Sequence, residues 1–248
     1  MDLMNRRIDG WHSPTLGQPM PIVSYGHWGH PLLLFPTAAA DFLENERFGL
    51  IGSVEPAIRD GRVRVFSINS INNQAWMDRS LPVQEQARRQ MLYAQYLEQE
   101  VVPYIRNVCQ SHDLRIATAG ASFGAFHAAN TLFRRPDLFD GVIAMSGFYD
   151  LGPDYLHGYS DDNAYFNNPA AYLPNLEGHP LHLLRTASQI HILTGQGAYE
   201  APHASRQLSD LLHQKGIPHF LDMWGHDVDH DWPWWLKMLP QSIDRMGW

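Results

Sequence analysis

The run Gly120-Ala121-Ser122-Phe123-Gly124 sets a serine between two glycines, after the apolar run 116–119 and before the helix-forming run 125–129. A strand, a sharp turn and a helix in that order would hold the hydroxyl out on a strained corner, free to attack an acyl carbon. Gly120 and Gly124 let strand and helix approach closely. The Phe123 N–H, at the positive end of the following helix, then faces the oxygen on which charge develops. A bland alternative is a tight turn whose serine only caps the helix. A dinucleotide site fits less well, because the third glycine and a following acidic residue are not both present.

A serine hydroxyl needs a base, and the tail supplies candidates in Trp224-Gly225-His226-Asp227-Val228-Asp229-His230-Asp231-Trp232-Pro233-Trp234-Trp235. A neutral imidazole can take the serine proton and return it to the leaving group near neutral pH. His226 and His230 both qualify. Pro233 suits the first turn of a helix, which puts His230 on the preceding loop and favours it, whereas His226 lies closer to the last strand. For the carboxylate that orients the imidazole, Glu200 in Thr194-Gly195-Gln196-Gly197-Ala198-Tyr199-Glu200 gives the chain order serine, acid, histidine. Asp150, one strand earlier, is the rival, and Glu200 could instead open the helix near Pro202.

The second oxyanion donor is expected from the loop Pro36-Thr37-Ala38-Ala39-Ala40-Asp41, where Pro36 has no N–H. The backbone N–H of Ala38 is chosen, with Thr37 as runner-up, because small side chains admit the substrate carbonyl. Read differently, His226, Asp227, Asp229, His230 and Asp231 carry atoms that bind zinc, manganese or iron. They lack a zinc-helix spacing and would leave Ser122 without a role, so neither a metal nor an organic cofactor is expected.

These residues need a scaffold, and 248 residues with 44 % hydrophobic and 12 % aromatic content suffice for one packed α/β domain over 1–248. Strands are expected within Met20–Tyr25, Leu32–Phe35, Arg62–Ile68, Leu114–Ala119, Gly141–Met145, Gln189–Leu193 and His219–Met223, the earliest as an antiparallel edge. Helical segments alternate with them, as in a mostly parallel sheet covered on both faces. Ala94, Leu97, Val101, Tyr104, Ile105 and Val108 give one apolar face to a helix near Gln84–Gln110, with a kink or boundary at Pro103. The stretch 150–188, rich in Pro, Gly, Asn, Tyr and Asp, reads as a cap or lid insertion.

Lys plus Arg number 18 against 26 Asp plus Glu, a net charge of −8 that repels nucleic acid and anionic lipid. The lone Cys109 allows no internal disulfide and reads as a small core residue. Charged residues at Asp2, Arg6, Arg7 and Asp9 interrupt any secretory signal, and no apolar run reaches the ~20 residues of a membrane span. A cytoplasmic location is expected; the sequence carries no sign of oligomeric state.

With these motifs assembled, the chain resembles the putative-esterase branch of the α/β-hydrolase superfamily, which includes esterase D-like enzymes and mycolyltransferases. The resemblance spans nearly the whole chain. It rests on Gly120–Gly124, Ala144-Met145-Ser146-Gly147, Thr194–Glu200 and His230–Trp235. It implies glutamate as the triad acid, hence Glu200 and His230 over Asp150 and His226. The oxyanion segment Pro36-Thr37-Ala38 and the missing secretion signal depart from the mycolyltransferase pattern, so hydrolysis of a small ester or thioester by Ser122, His230 and Glu200 is the expectation. The alternatives are acyl transfer by the same triad, or an inactive hydrolase-like protein that binds partners through its aromatic segments.

Overall fold

Side chains that alternate along buried strands divide between two cores, one on each face of a sheet. In β3 (His30–Phe35), Leu32 and Leu34 enter one core while Leu33 and Phe35 enter the other. In β6 (Phe139–Met145), Ile143 and Met145 oppose Val142 and Ala144 in the same way. The remaining strands of the computed structural model, which describes residues 5–248, are β1 (Arg7–Ser13), β2 (Gln18–Tyr25), β4 (Val63–Ile68), β5 (Ile116–Ala121), β7 (Gln189–Thr194) and β8 (Phe220–Met223). They form one eight-stranded sheet in the order β1-β2-β4-β3-β5-β6-β7-β8. β1, β2 and β4 pair antiparallel and all other neighbours are parallel. The edge strand is β1, which apolar content does not reveal because Arg7, Asp9 and His12 sit within it; the first expected strand, β2, lies one place in.

The helices are α1 (Glu44–Arg47), α2 (Leu50–Ser53), α3 (Glu55–Arg59), α4 (Val83–Tyr96), α5 (Val102–Val108), α6 (Phe123–Arg134), α7 (Asp162–Tyr165), α8 (Pro169–Tyr172), α9 (Gly178–Thr186), α10 (Pro202–Gln214) and α11 (Trp232–Met246). α4 and α5 are joined by a π-helical turn, Leu97–Val101, and α5 opens at Val102 with Pro103 in its first turn, at the expected boundary. Proline removes one N–H and crowds the carbonyl four residues back, and a widened turn there lets the helix run on. Among the described residues no helix is long and apolar enough to cross a membrane.

Strand order fixes where loops meet. From β3 the chain passes to β4 on one side and later to β5 on the other, which opens a crevice beyond the carboxyl ends of β3 and β5. Phe35 pairs with Gly120, so the loop after Phe35 lies beside Ser122. On the other side Met145 pairs with Leu193, and Leu193 with Asp222, so the loops after β6, β7 and β8 are neighbours as well.

The stretch 150–188 divides into two parts. Tyr172, Leu173, Leu181 and Leu184 belong to the main core, and α9 is the crossover into β7. The earlier part carries Leu151, Tyr155, Leu156 and Ala164 into a separate cluster with Trp76, Phe123 and Phe126. Arg79 fastens it, donating to the Asp154 carbonyl at 3.0 Å and lying 4.8 Å from the centre of the Tyr155 ring.

Two buried histidines make the fold sensitive to acid. His191, 1 % exposed in β7, has no hydrogen-bond partner at either ring nitrogen, and burial pushes it down to about 4; burial pushes His127, in α6, down to about 3. Below the unfolded value of about 6.5 the unfolded chain takes up protons that the folded chain refuses, so stability falls as pH drops toward those lowered values. The melting temperature is expected to fall from pH 7 to pH 4, and less steeply in His191→Phe, which loses no hydrogen bond. Equal slopes in the two proteins would refute this assignment.

Candidate active site

Ser122 joins β5 directly to α6 with φ 57° and ψ −122°, a left-handed backbone that turns its side chain out of the sheet. Its N–H donates to the Met145 carbonyl at 2.9 Å, and its carbonyl accepts from Ala125 at 3.1 Å. Room for this corner comes from the flanking glycines. A Cβ on Gly120 would lie 2.4 Å from the Gly124 carbonyl carbon, and one on Gly124 would lie 2.6 Å from the Pro36 oxygen. The spacing therefore serves both the turn and the seating of the 36–42 loop.

The N–H groups of Phe123 and Ala38 donate to no acceptor among the described residues. Thr37 is otherwise engaged: its N–H and hydroxyl donate to the two carboxylate oxygens of Glu44 at 2.7 and 2.8 Å. Of the two expected donors on that loop, Ala38 is the free one.

Glu200 stands on the loop after β7 with its side chain fully buried, and its Oε2 lies 3.7 Å from His230 Nδ1. That separation is long for a hydrogen bond and short enough for strong attraction once the imidazole is charged; unliganded catalytic contacts are commonly loose in this way. Ser146 donates to Oε1 at 2.5 Å and Thr194 to Oε2 at 3.1 Å. The Trp235 indole N–H, which can only donate, reaches Ser146 Oγ at 3.0 Å. The serine proton must then point at Glu200, so indole, hydroxyl and carboxylate form a line with one sense. Burial pushes the Glu200 carboxyl up, but its contacts with His230 and Ser146 outweigh this and leave it below the usual carboxylate range. Trp235 also meets the His230 ring edge-on at 5.1 Å, which restricts the imidazole.

Two loops are fastened to bring acid and histidine together. Gln196 and Gly197 donate to the carbonyls of Gly225 and Val228 at 3.1 and 2.9 Å, and His230 donates to the Ala198 carbonyl at 2.9 Å. Asp229 accepts from the Ala198 N–H at 2.6 Å. A Cβ on Gly195 would fall 2.1 Å from the Val228 oxygen, so only glycine permits this approach. The glycines of Gly195-Gln196-Gly197 thus serve loop-to-loop packing.

The rivals lie elsewhere. Asp150 is exposed and accepts from Gly152 and Asn168 at 2.8 and 3.0 Å. His226 is exposed on the loop. Asp231 caps α11 through the Trp232 N–H at 2.7 Å. No group of three or more His, Cys, Asp or Glu side chains among the described residues is arranged to hold a metal ion. Sequence reasoning missed Ser146 and Thr194 as holders of Glu200. The available signal was a hydroxyl residue at the carboxyl end of each of the two adjacent strands, β6 and β7.

The family model described as "Putative esterase" matches residues 58–246. No curated protein matches the chain. Among solved structures, a ferulic acid esterase is similar at a TM-score of 0.73 with 18 % identity, each chain covered to 98 %. An S-formylglutathione hydrolase from Staphylococcus aureus has a TM-score of 0.75 at 15 % identity, again with 98 % of both chains covered. One from Agrobacterium tumefaciens has a TM-score of 0.74 at 13 % identity, covering 99 % of this chain and 95 % of its own. With the family model spanning most of the chain, the protein belongs to the "Putative esterase" family, is an ester hydrolase, and has the α/β fold of these similar structures.

Proposed function

We propose that Ser122, His230 and Glu200 form the catalytic triad of a hydrolase for small carboxylic esters or thioesters, with the N–H groups of Phe123 and Ala38 as its oxyanion hole. The observation that carries this reading is the buried, hydroxyl-held Glu200 facing His230 Nδ1 on a loop bound to the histidine's own. The similar structures include, by their names, one hydrolase of an ester and two of a thioester, and a serine acyl-enzyme serves both substrate types.

In the first half-reaction Ser122 Oγ attacks the carbonyl carbon while His230 Nε2 takes its proton. The carbonyl oxygen becomes an anion held by the two N–H groups. Collapse expels the alcohol or thiol, which leaves with the proton from His230. In the second, His230 takes a proton from water, hydroxide adds to the acyl carbon, and collapse returns the proton to Ser122 and frees the acid. Glu200 stays ionised throughout, holding the Nδ1–H tautomer and stabilising the imidazolium. The Phe148 and Tyr155 rings pack edge-on against the Phe123 ring, with centroids 5.0 and 5.6 Å away, and so help to fix the residue that carries the first oxyanion donor.

Treatment with a fluorophosphonate followed by peptide mass analysis is expected to find one adduct, on Ser122, with loss of esterase activity in step with labelling. An adduct at another serine, or full activity after Ser122 is modified, would overturn the proposal.

A further inference from the structure

Two backbone donors on separate loops bind one oxygen well only if their separation is held, and the groups that hold it here lie outside the triad. The chain is anchored on both sides of the Ala38 N–H. On one side Thr37 is fixed to Glu44 through its N–H and hydroxyl. On the other, the Ala38 carbonyl accepts from Asn72 Nδ2 at 2.6 Å and from the Ser70 hydroxyl at 3.1 Å. Asn72 is fully buried, and its Oδ1 lies 2.8 Å from His127 Nε2.

Hydrogen-bonding logic gives this chain a direction. A carbonyl only accepts, so Asn72 must turn its NH2 to Ala38 and its oxygen to His127. The imidazole must then carry its proton on Nε2, leaving Nδ1 to accept from Gln90 Nε2 at 3.4 Å. Burial keeps the His127 ring neutral, so Nδ1 remains an acceptor. His127 stands on α6 one turn beyond Phe123, with the two rings stacked at 5.2 Å and 24°. A continuous line of contacts thus joins the helix that bears the first oxyanion donor to the loop that bears the second.

We propose that Asn72 and His127 are positioning residues of the oxyanion hole, setting the Ala38 N–H against that of Phe123. This rests on the reading of Ala38 and Phe123 as donors in a Ser122 hydrolase. Neither residue touches substrate; each acts through the Ala38 backbone.

The test uses Asn72→Ala, His127→Leu and His127→Gln, with kcat and KM on a short acyl ester and the inhibition constant of a trifluoromethyl ketone. That inhibitor forms a tetrahedral adduct: a bond forms from Ser122 Oγ to the ketone carbon, the serine proton passes to His230, and the ketone oxygen becomes the anion. Asn72→Ala and His127→Leu are expected to lower kcat by about 10-fold or more, less than complete loss of a donor, with KM within about two-fold. Inhibitor binding should weaken by about the same factor. His127→Leu should add nothing in the Asn72→Ala background, because one acts through the other. His127→Gln, whose amide can still donate to Asn72, should recover most of the rate, and this comparison stands by itself if Asn72→Ala fails to fold. Losses that multiply in the double variant, a kcat loss with unchanged inhibitor binding, or a His127→Gln no better than His127→Leu would overturn the inference. A parent protein that forms no Ser122 fluorophosphonate adduct would instead overturn the hydrolase reading beneath it.

Discussion

Ser122→Ala is expected to lower kcat by roughly 10⁴- to 10⁶-fold, and His230→Ala by a comparable factor, with the double variant no slower than either single one. The hydroxyl is a weak nucleophile without the imidazole, and the imidazole has no proton to take without the hydroxyl. Two residues that act as one unit are lost together when either is lost. The serine substitution is also structurally quiet. The strained φ of 57° is carried by the backbone and persists with alanine, so circular dichroism and the melting temperature should match the parent. Steady-state assays on short acyl esters, with the two singles and the double side by side, check this. A Ser122→Ala protein with more than about one per cent of parental activity would place the nucleophile elsewhere, since the losses of this class are far larger.

Glu200→Gln is expected to cut kcat by roughly 10³- to 10⁴-fold, while Asp150→Asn stays within about two-fold of the parent. The amide keeps the volume and can still accept from Ser146, but it cannot supply the charge that fixes Nδ1–H and stabilises imidazolium. Asp150, by contrast, spends its carboxylate on Gly152 and Asn168 at the surface. pH gives a second check. Because the Glu200 carboxyl lies below its usual range, its ionised contacts stabilise the fold above the unfolded carboxylate value and fade as pH falls through the lowered one. Glu200→Gln should therefore lose melting temperature near neutrality and converge on the parent at strongly acid pH. Equal activity losses in the Glu200 and Asp150 variants would contradict the assignment of the acid.

Much of this was legible in the residues because it is local. Alternating or continuous apolar runs mark β2 to β8, and a serine between glycines marks the corner at Ser122. Pro233 marks the helix that leaves His230 on the loop before it. What stayed hidden depends on distant pairing. β1 offers alternating polar residues that make sense only against Met20 and Ile22 of β2. The 150–188 stretch reads as one loop-like unit by composition, yet Leu181 and Leu184 are drawn into the core by α9 while Tyr155 stays with Phe123. Ser146, Thr194, Asn72 and His127 are ordinary residues in their own segments. Their importance appears only when β6 and β7 lie side by side and when the loop after β3 folds back over Asn72.

The fastening of the Gly195–Glu200 loop to the Gly225–His230 loop bears on how this scaffold can be re-engineered. The two segments form a single cassette: exchanging either one alone with a relative would break the three backbone hydrogen bonds and the Ala198–Asp229 bond between them, whereas transplanting both together would keep that mutual fit.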